Sequence, residues 1–457
     1  MNLKSIKHNQ NLFIIIALFI FFFFLRHNQI FYQFKFFFDD QNFFYSVINY
    51  LNFYIDNQNL PEIFIYISLL IPGYVLIKSK FNFENTSIFF LYLFFFAPFI
   101  IFFSILNDNF YSVLSDKKFS LSQKNLYILS FLLYINLIVL IFFSKLDFKI
   151  KIKYFYIKIR NLKIVTLSVI IFFFLIVLFD INSFSLRNIN IDLSYLMIPG
   201  TDYRNFLHGA TGYLYYMTLY VFLPLLYLIE KKTGNLLLVI FIYLLLYFLF
   251  KHKITLFFTI TTIVYHYKSS FFLERFYFRT LKIILIYLIT TFICSYLVDH
   301  FFKVETSFFF ERFFLSQTKN LFLVYDYLNI NGPIYLSHIG ILNKSLLLPV
   351  DTTNPIIKYE GNFFDLIGGI YGGGSAVSNS YIMDGLASFG LKGLFFISIL
   401  LTVLLKLIDT IIEFKKNDFQ LIYLYQIIGF LSFPLSTHLL TYGLAVSIFL
   451  GMIRLKT

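Results

Sequence analysis

Hydrophobic residues along this chain fall into about a dozen blocks, and polar stretches separate one block from the next. Lys and Arg are concentrated in every second stretch. A transmembrane helix needs about 20 apolar residues, and loops that stay in the cytoplasm are enriched in Lys and Arg. The pattern therefore predicts an all-α polytopic membrane protein with about 12 transmembrane helices. The predicted spans are residues 11–25, 63–77, 88–106, 126–143, 164–180, 213–229, 236–250, 254–265, 283–297, 394–412, 419–435 and 439–453.

The positions of Lys and Arg also predict which ends of the spans lie inside the cell. If the amino terminus is cytoplasmic, the basic stretch 145–163 and the tail with Arg454 and Lys456 are both inside. Inner loops then hold about 21 of the 37 Lys and Arg residues in about 70 positions, whereas outer loops over twice as long hold about 15. We therefore expect both termini to be cytoplasmic, with a large periplasmic loop, 301–393, between spans 9 and 10.

The composition agrees with a single integral-membrane domain over residues 1–457. Hydrophobic residues make up 59% of the chain and charged residues 13%, whereas soluble domains have about 45–50% and about 25%. The net charge of +13 follows from the positive-inside pattern rather than from nucleic-acid binding. The chain has one cysteine, Cys294, and no Cys/His metal spacing or phosphate-binding loop motif. The sequence therefore predicts no disulfide, no metal and no cofactor.

Chemistry is expected in the polar segments that the topology places outside. Arg204 and His208 are spaced i, i+4, so on a helix they share one face, where a guanidinium beside an imidazole suits a diphosphate. The alternative is an arginine that only reaches lipid headgroups. Lys251, His252 and Lys253 join two short spans. A recessed turn there would need a water-filled cavity or an anion, unless longer helices carry the lysines up to lipid phosphates.

The large loop carries two further candidates. In the stretch FFFERFFLSQTKNLFLVYDYL, Arg312 and Lys319 lie on one face of a predicted helix that is typical of an amphipathic helix at the membrane surface. The glycine-rich stretch DLIGGIYGGGSAVSNSYIMDGLASFGLKGL contains Asn379 and Asp384 shortly before the tenth span. Such a loop can bind sugar hydroxyls through close backbone approach, or it can be a flexible link into the helix.

From Arg204 onward the chain resembles the O-antigen polymerase (oligosaccharide repeat-unit polymerase) family. The resemblance rests on the order and spacing of YRNFLHGATGYLYYMTLYVFLP, KHKITLFF, ERFFLSQTKNLFLVYDYLNINGPIYLS and IGGIYGGGSAVSNSYIMDGLASFGLKG. The chain departs from the family at Arg312, a lone arginine where two adjacent basic residues are common. It also has Ser388 where an Asn is common before Phe-Gly.

The resemblance implies a metal-independent membrane glycosyltransferase of the bacterial inner membrane. It would polymerise polyprenyl-diphosphate-linked oligosaccharide repeat units at the periplasmic face, with the bilayer and a chain-length regulator as further partners and no nucleic acid. The reaction needs cations near the departing diphosphate and a base for the acceptor hydroxyl. The candidate substrate-binding residues are Arg204, Lys253, Arg312, Lys319 and Asn379, and the candidate bases are Asp384, His208 and His338.

Other functions stay open at this point. Asp39 and Asp40 resemble the acidic pair that serves as base in polyprenyl-phosphosugar-dependent glycosyltransferases, or they are a solvated turn. An O-antigen ligase has the same architecture and differs in its acceptor. A lipid-linked oligosaccharide flippase is the non-enzymatic alternative. It would keep charged groups near the bilayer midplane and tend to repeat its halves, whereas Lys406 and Asp409 lie near a predicted inner end.

Overall fold

The computed structural model describes residues 11–26, 61–105, 123–146, 153–179, 209–250, 254–267, 276–294, 316–334, 380–412, 419–432, 435–440 and 443–456. Apart from one short β ladder, the secondary structure of these residues is helical. The helices of the first 300 residues are α1 (Asn11–Arg26), α2 (Pro61–Lys78), α3 (Phe83–Leu91), α4 (Ala97–Ile105), α5 (Gln123–Ser144), α6 (Ile159–Phe179), α7 (Gly209–Met217), α8 (Leu223–Glu230), α9 (Thr233–Phe250), α10 (Ile254–Tyr267) and α11 (Phe276–Cys294). Those that follow are α12 (Ser316–Asn331), α13 (Tyr381–Ile412), α14 (Gln420–Ser432), α15 (Leu435–Leu440) and α16 (Leu444–Gly451).

The described residues form an α-helical membrane protein, as the hydropathy pattern predicts. Single π-helical turns, Tyr92–Phe96 and Thr218–Phe222, join α3 to α4 and α7 to α8. Five helices are long and apolar enough to cross a bilayer by length and composition: Phe83–Ile101, Lys124–Ser144, Ile159–Val177, Thr211–Glu230 and Tyr381–Ile411. Shorter apolar helices cover Asn11–Arg26, Ile65–Lys78, Thr233–Tyr247, Ile254–Tyr267 and Gln420–Phe430.

The predicted twelfth span, 439–453, is not one continuous helix. Two short helices, α15 and α16, occupy this part of the chain, and Gly443 precedes the second with a φ of 79°. A Cβ on Gly443 would lie 2.6 Å from Cγ2 of Val221, so a larger residue has no room there. α16 is only about 12 Å long at 1.5 Å per residue. Hydropathy detects apolar composition but not such a break.

The chain divides into two compact units. The first unit contains Met1–Lys80, Asn85–Leu146 and Tyr277–Thr402, and the second contains Phe81–Glu84, Asp147–Phe276 and Val403–Thr457. The division falls inside α13.

In the first unit, α2 packs closely against the π-turn between α3 and α4. The Tyr92 hydroxyl donates a hydrogen bond to the Leu69 backbone oxygen (2.9 Å). A Cβ on Gly73 would lie 2.9 Å from Cζ of Tyr92. Small residues let transmembrane helices approach each other in this way.

In the second unit, polar side chains join α10 to α14 inside the helix bundle. The Thr262 and Tyr425 hydroxyls are 2.6 Å apart, and the Tyr425 hydroxyl also donates to the Phe258 backbone oxygen (2.8 Å). The Phe258 and Tyr425 rings stack with centroids 3.9 Å apart. Hydrogen bonds between helices in a bilayer each contribute about 0.6–2 kcal/mol, so this pair fixes the position of α14 against α10.

A parallel β ladder is the one described feature that the all-α prediction misses. Strand β1 (Phe155–Lys158) pairs with β2 (Ile453–Lys456), and the register aligns Phe155 with Ile453 and Lys158 with Lys456. The two strands come from the basic stretch before α6 and from the carboxyl-terminal tail, which the sequence predicts to share the inner side of the membrane. Their pairing places them at the same end of the second unit.

Candidate functional site

The first element of the candidate site is the carboxyl end of α12, where the local sequence ends the helix. Gly332 has a φ of 75°, and its N–H donates to the Leu328 backbone oxygen (2.8 Å). A glycine in the left-handed region with this hydrogen bond is a common way to end a helix, and a following proline prevents its continuation. The Asn-Gly-Pro sequence at 331–333 therefore stops α12 and redirects the chain.

α12 is more deeply buried than the sequence predicts. An amphipathic surface helix would leave its polar face exposed, but every side chain from Leu321 to Leu328 is buried. Asp326 in this run is 0% exposed. A helix buried on all sides belongs to the interior of a protein, so the middle of α12 is part of the core of the first unit.

The second element of the site is the sharp break inside α13. Phe389 (φ −134°, ψ 17°) and Gly390 (φ 62°, ψ −147°) leave the helical conformation. The Gly390 angles fall close to a region that only glycine adopts readily. The break divides α13 into a short arm, residues 381–388, and a long arm, residues 391–412.

The two arms fold back on each other rather than continuing along one axis. A Cβ on Gly385 would lie 2.8 Å from Cβ of Ile397, and one on Gly393 would lie 2.6 Å from the Gly385 carbonyl carbon. The Tyr381 hydroxyl lies beside the side chain of Ser398, although 17 residues of straight helix would separate these positions by about 25 Å. The candidate span Tyr381–Ile411 is therefore a hairpin, and only its long arm, about 33 Å, has the length to cross a bilayer.

α12 and the short arm meet at a small cavity. The Ile334 N–H donates to the Ala387 backbone oxygen (2.9 Å), which provides a partner for one of the carbonyls left open at the end of the short arm. The cavity has a volume of about 230 Å³. It is lined by Tyr325, Leu328, Asn329, Pro333, Leu386, Gly390 and Leu391.

Two buried carboxylates lie on the elements that form this cavity. Asp384 is 3% exposed and stands two residues before Leu386, which lines the cavity. Asp326 directly follows Tyr325 on α12. Carboxylates are rarely buried because they lose their hydration. Neither carboxylate is among the residues that line the cavity, so each lies on a helix that borders the cavity rather than on its wall.

Neutral polar groups lie on the short arm and along the cavity. The Ser388 hydroxyl donates to the Asp384 backbone oxygen (2.6 Å), one turn back along the short arm. Burial raises the pKa of the Tyr325 phenol, so Tyr325 keeps its proton at neutral pH and stays a hydrogen-bond donor. The Asn329 side chain offers both a donor and an acceptor. The cavity therefore combines an aromatic ring with neutral polar groups.

The structure brings together two of the segments that the sequence singled out. Asp384 lies on the short arm, and Lys319 lies in the first turn of α12, although the structure describes only its backbone. The other predicted site residues lie outside the described residues: Arg204, His208, Lys253, Arg312, His338 and Asn379. Asp39 and Asp40 also lie outside them.

Sequence reasoning missed Asp326, Tyr325 and Asn329. Asp326 lies in the stretch predicted to form an amphipathic surface helix, where a carboxylate is expected to be exposed. The Asn-Gly-Pro stop shortly after these residues is the signal that could have marked this end of α12 as part of a packed turn.

A second buried charged cluster lies in the second unit, where α3 begins. Lys406 Nζ lies 3.3 Å from a carboxylate oxygen of Glu84, which is 1% exposed. Asp409 accepts hydrogen bonds from the Phe83 N–H (2.8 Å) and the Asn82 amide (2.9 Å). These contacts satisfy donors at the helix start, so the cluster anchors α3 to the end of α13.

Within the described part of the chain, no group of three or more His, Cys, Asp or Glu residues could hold a metal ion.

Comparison of the chain with protein-family models, with curated proteins and with solved structures finds no match.

Proposed function

We propose that this chain is an integral-membrane glycosyltransferase that polymerises polyprenyl-diphosphate-linked oligosaccharide repeat units at the periplasmic face of a bacterial inner membrane. The observation that carries the proposal is the convergence of α12 and the Asp384 arm at one cavity. These two segments lie about 60 positions apart in the sequence, and each belongs to a motif on which the resemblance to oligosaccharide polymerases rests.

The cavity matches one end of an acceptor glycan. Pockets that enclose a drug-sized ligand have about 300–1,000 Å³, so the cavity of about 230 Å³ suits a terminal sugar rather than a whole repeat unit. Tyr325 supplies an aromatic surface and a hydroxyl donor, and Asn329 supplies an amide. The apolar remainder of the lining, such as Leu386 and Leu391, would cover the C–H face of the sugar ring.

Asp384 is assigned as the base. In the proposed reaction, an acceptor hydroxyl oxygen attacks the anomeric carbon of the donor glycan, and the bond from that carbon to the diphosphate oxygen breaks. Asp384 takes the hydroxyl proton, and the electron pair of the broken bond leaves with the polyprenyl diphosphate. His208 and His338 remain alternative bases on the sequence evidence.

The departing diphosphate requires positive charge, because preorganised cations stabilise the charge that develops on it. Arg204, Lys253 and Arg312 are assigned this role from the sequence. Lys319 and Asn379 are assigned to contacts with the glycan on the same basis.

The proposal is tested in a strain that lacks this chain and carries variants on a plasmid. Asp384→Asn keeps the shape of the side chain and removes the base, so we expect surface glycan of one repeat unit only, at unchanged protein level. Glu230→Gln is the matched control, because it makes the same chemical change in a surface pair with Lys163, where the loss is small. Long glycan chains from Asp384→Asn, or loss of long chains from both variants, would contradict the assignment.

A further inference from the structure

The β ladder of the second unit has two unlike faces. Side chains alternate between the faces of a strand, and aligned residues of paired strands share a face. One face carries Tyr154, Tyr156, Lys158 and the aligned Arg454. The Arg454 guanidinium lies 3.9 Å from the centre of the Tyr154 ring, a cation–π contact that holds it on this face.

The opposite face is apolar and only partly buried. It carries Phe155 and Ile157 of β1 and Ile453 of β2. Ile453 is buried, whereas Phe155 is 52% exposed, and its ring centroid lies 6.4 Å from that of Phe449 in α16. The apolar face therefore contacts α16 through its buried part, while Tyr156 and Lys158 on the basic, aromatic face are exposed.

The chain connectivity holds this ladder next to the start of a candidate membrane span. β1 runs directly into α6, whose first residue, Ile159, also begins a candidate membrane span. β2 starts two residues after α16 ends. Since a strand advances only about 3.3 Å per residue, the four residues of β1 lie within about 15 Å of the point where α6 begins.

Three exposed cations at this end of the second unit have no ion-pair partner among the residues that the structure describes. Lys153, Lys158 and Arg160 are exposed, and none of them forms a salt bridge in the part of the chain that the structure describes. The neighbouring carboxylate of Glu230 is paired with Lys163. The ladder and the start of α6 therefore present uncompensated positive charge.

We propose that the basic face of the ladder (Tyr156, Lys158 and Arg454), together with the exposed cations Lys153 and Arg160 that flank β1, binds the headgroups of anionic phospholipids. Arg and Lys bind phosphate oxygens with charge-assisted hydrogen bonds, and each basic residue near an anionic bilayer strengthens its attraction. Tyr156 is 65% exposed, and exposed tyrosines are typical of the headgroup layer. An acidic protein segment would also be attracted to these cations, but it would not explain why aromatic rings lie next to the start of a membrane span.

The absence of tryptophan from the natural chain allows a direct test. In Tyr156→Trp the only tryptophan lies on the proposed surface, and its quenching by brominated lipid in nanodiscs measures which lipid touches it. We expect brominated phosphatidylglycerol to quench more strongly than brominated phosphatidylcholine. Tyr127→Trp, at the start of α5, provides a reporter at an exposed tyrosine of the first unit, and we expect no such preference there.

Removal of charge tests the cause of the preference. In the Tyr156→Trp background, Lys153→Gln, Lys158→Gln and Arg160→Gln together should lower the relative affinity for phosphatidylglycerol by roughly tenfold or more. The charge-retaining set Lys153→Arg, Lys158→Arg and Arg160→Lys should keep most of the relative affinity for phosphatidylglycerol. This comparison separates the effect of charge from that of misfolding.

A matched control removes three exposed cations elsewhere: Lys124→Gln, Lys145→Gln and Lys282→Gln. These substitutions should leave the preference at Tyr156→Trp unchanged. Equal quenching by the two lipids, an equal loss in the control variant, or displacement of the lipid by soluble glycerol phosphate would overturn the proposal.

Discussion

Alanine at position 393 is expected to open the hairpin of α13. The new Cβ would lie 2.6 Å from the Gly385 carbonyl carbon and 3.1 Å from Cβ of Phe389, whereas non-bonded carbons prefer about 3.5–4.0 Å. The closest obstacle is backbone, so the short arm has to move by about 1 Å. Overpacking costs about 1–3 kcal/mol, and we expect the upper end because no side chain can rotate away.

Helix propensity opposes this cost only in part. Alanine is favoured over glycine inside a helix by about 1 kcal/mol, which leaves a net penalty of about 2 kcal/mol for the folded-back arm. Since 1.4 kcal/mol corresponds to a factor of ten, the population of the folded-back short arm, relative to the population in which it has moved away, should fall by roughly thirtyfold. Gly234→Ala is the control, because a Cβ there has no atom within 4 Å.

A disulfide assay measures how often the short arm of α13 lies folded back on the long arm. Cysteines replace Tyr381 and Ser398 in a Cys294→Ser background, and the rate of disulfide formation under a mild oxidant is compared with and without Gly393→Ala. In the hairpin the Tyr381 hydroxyl lies beside the Ser398 side chain, whereas a straight helix would hold the two positions about 25 Å apart, far beyond the Cα separation of about 4.4–6.8 Å at which a disulfide forms. Gly393→Ala should slow the reaction strongly, and Gly234→Ala should not. An unchanged rate in Gly393→Ala, or no disulfide in the parent pair, would refute the reasoning.

The remaining predictions concern the buried ion pair and the cavity. Lys406→Met leaves the Glu84 carboxylate buried without its cation and should destabilise the protein by about 3–5 kcal/mol, seen as a lower thermal unfolding midpoint in detergent. The double variant Lys406→Met/Glu84→Leu should recover most of that loss, and a midpoint no higher than that of the single variant would contradict the ion-pair account. Tyr325→Phe keeps the ring and removes the donor, so the KM for the acceptor should rise by about fivefold to tenfold with kcat little changed. A fall in kcat at constant KM would instead assign Tyr325 to the chemical step.

Hydropathy predicted many of the apolar helices, because an apolar helix of this kind follows from local composition. The stretches 126–143 and 164–180 contain long apolar runs, and the structure has α5 and α6 there. The hairpin of α13 was invisible to this method, because both arms are apolar and the reversal depends on the conformation of Gly390. Gly385 and Gly393 are visible in the sequence, but nothing local shows that the chain reverses direction between them.

Long-range pairing explains most of what the sequence could not predict. β1 and β2 are separated by about two thirds of the chain, and the basic residues around β1 gave the stronger signal of a cytoplasmic loop. Asp384 was recognised because a carboxylate stands at the start of a helix. Asp326 was not, because its burial depends on how α12 packs in the first unit rather than on neighbouring residues.

The most direct test of the proposed function uses the purified chain in nanodiscs with a polyprenyl-diphosphate-linked repeat unit as the only substrate. The account predicts lipid-linked products of two, three and more units, and one polyprenyl diphosphate released for each new glycosidic bond. Asp384→Asn should form none of these products. A wild-type protein that leaves the single unit unchanged, or that requires a nucleotide sugar to extend it, would contradict the account.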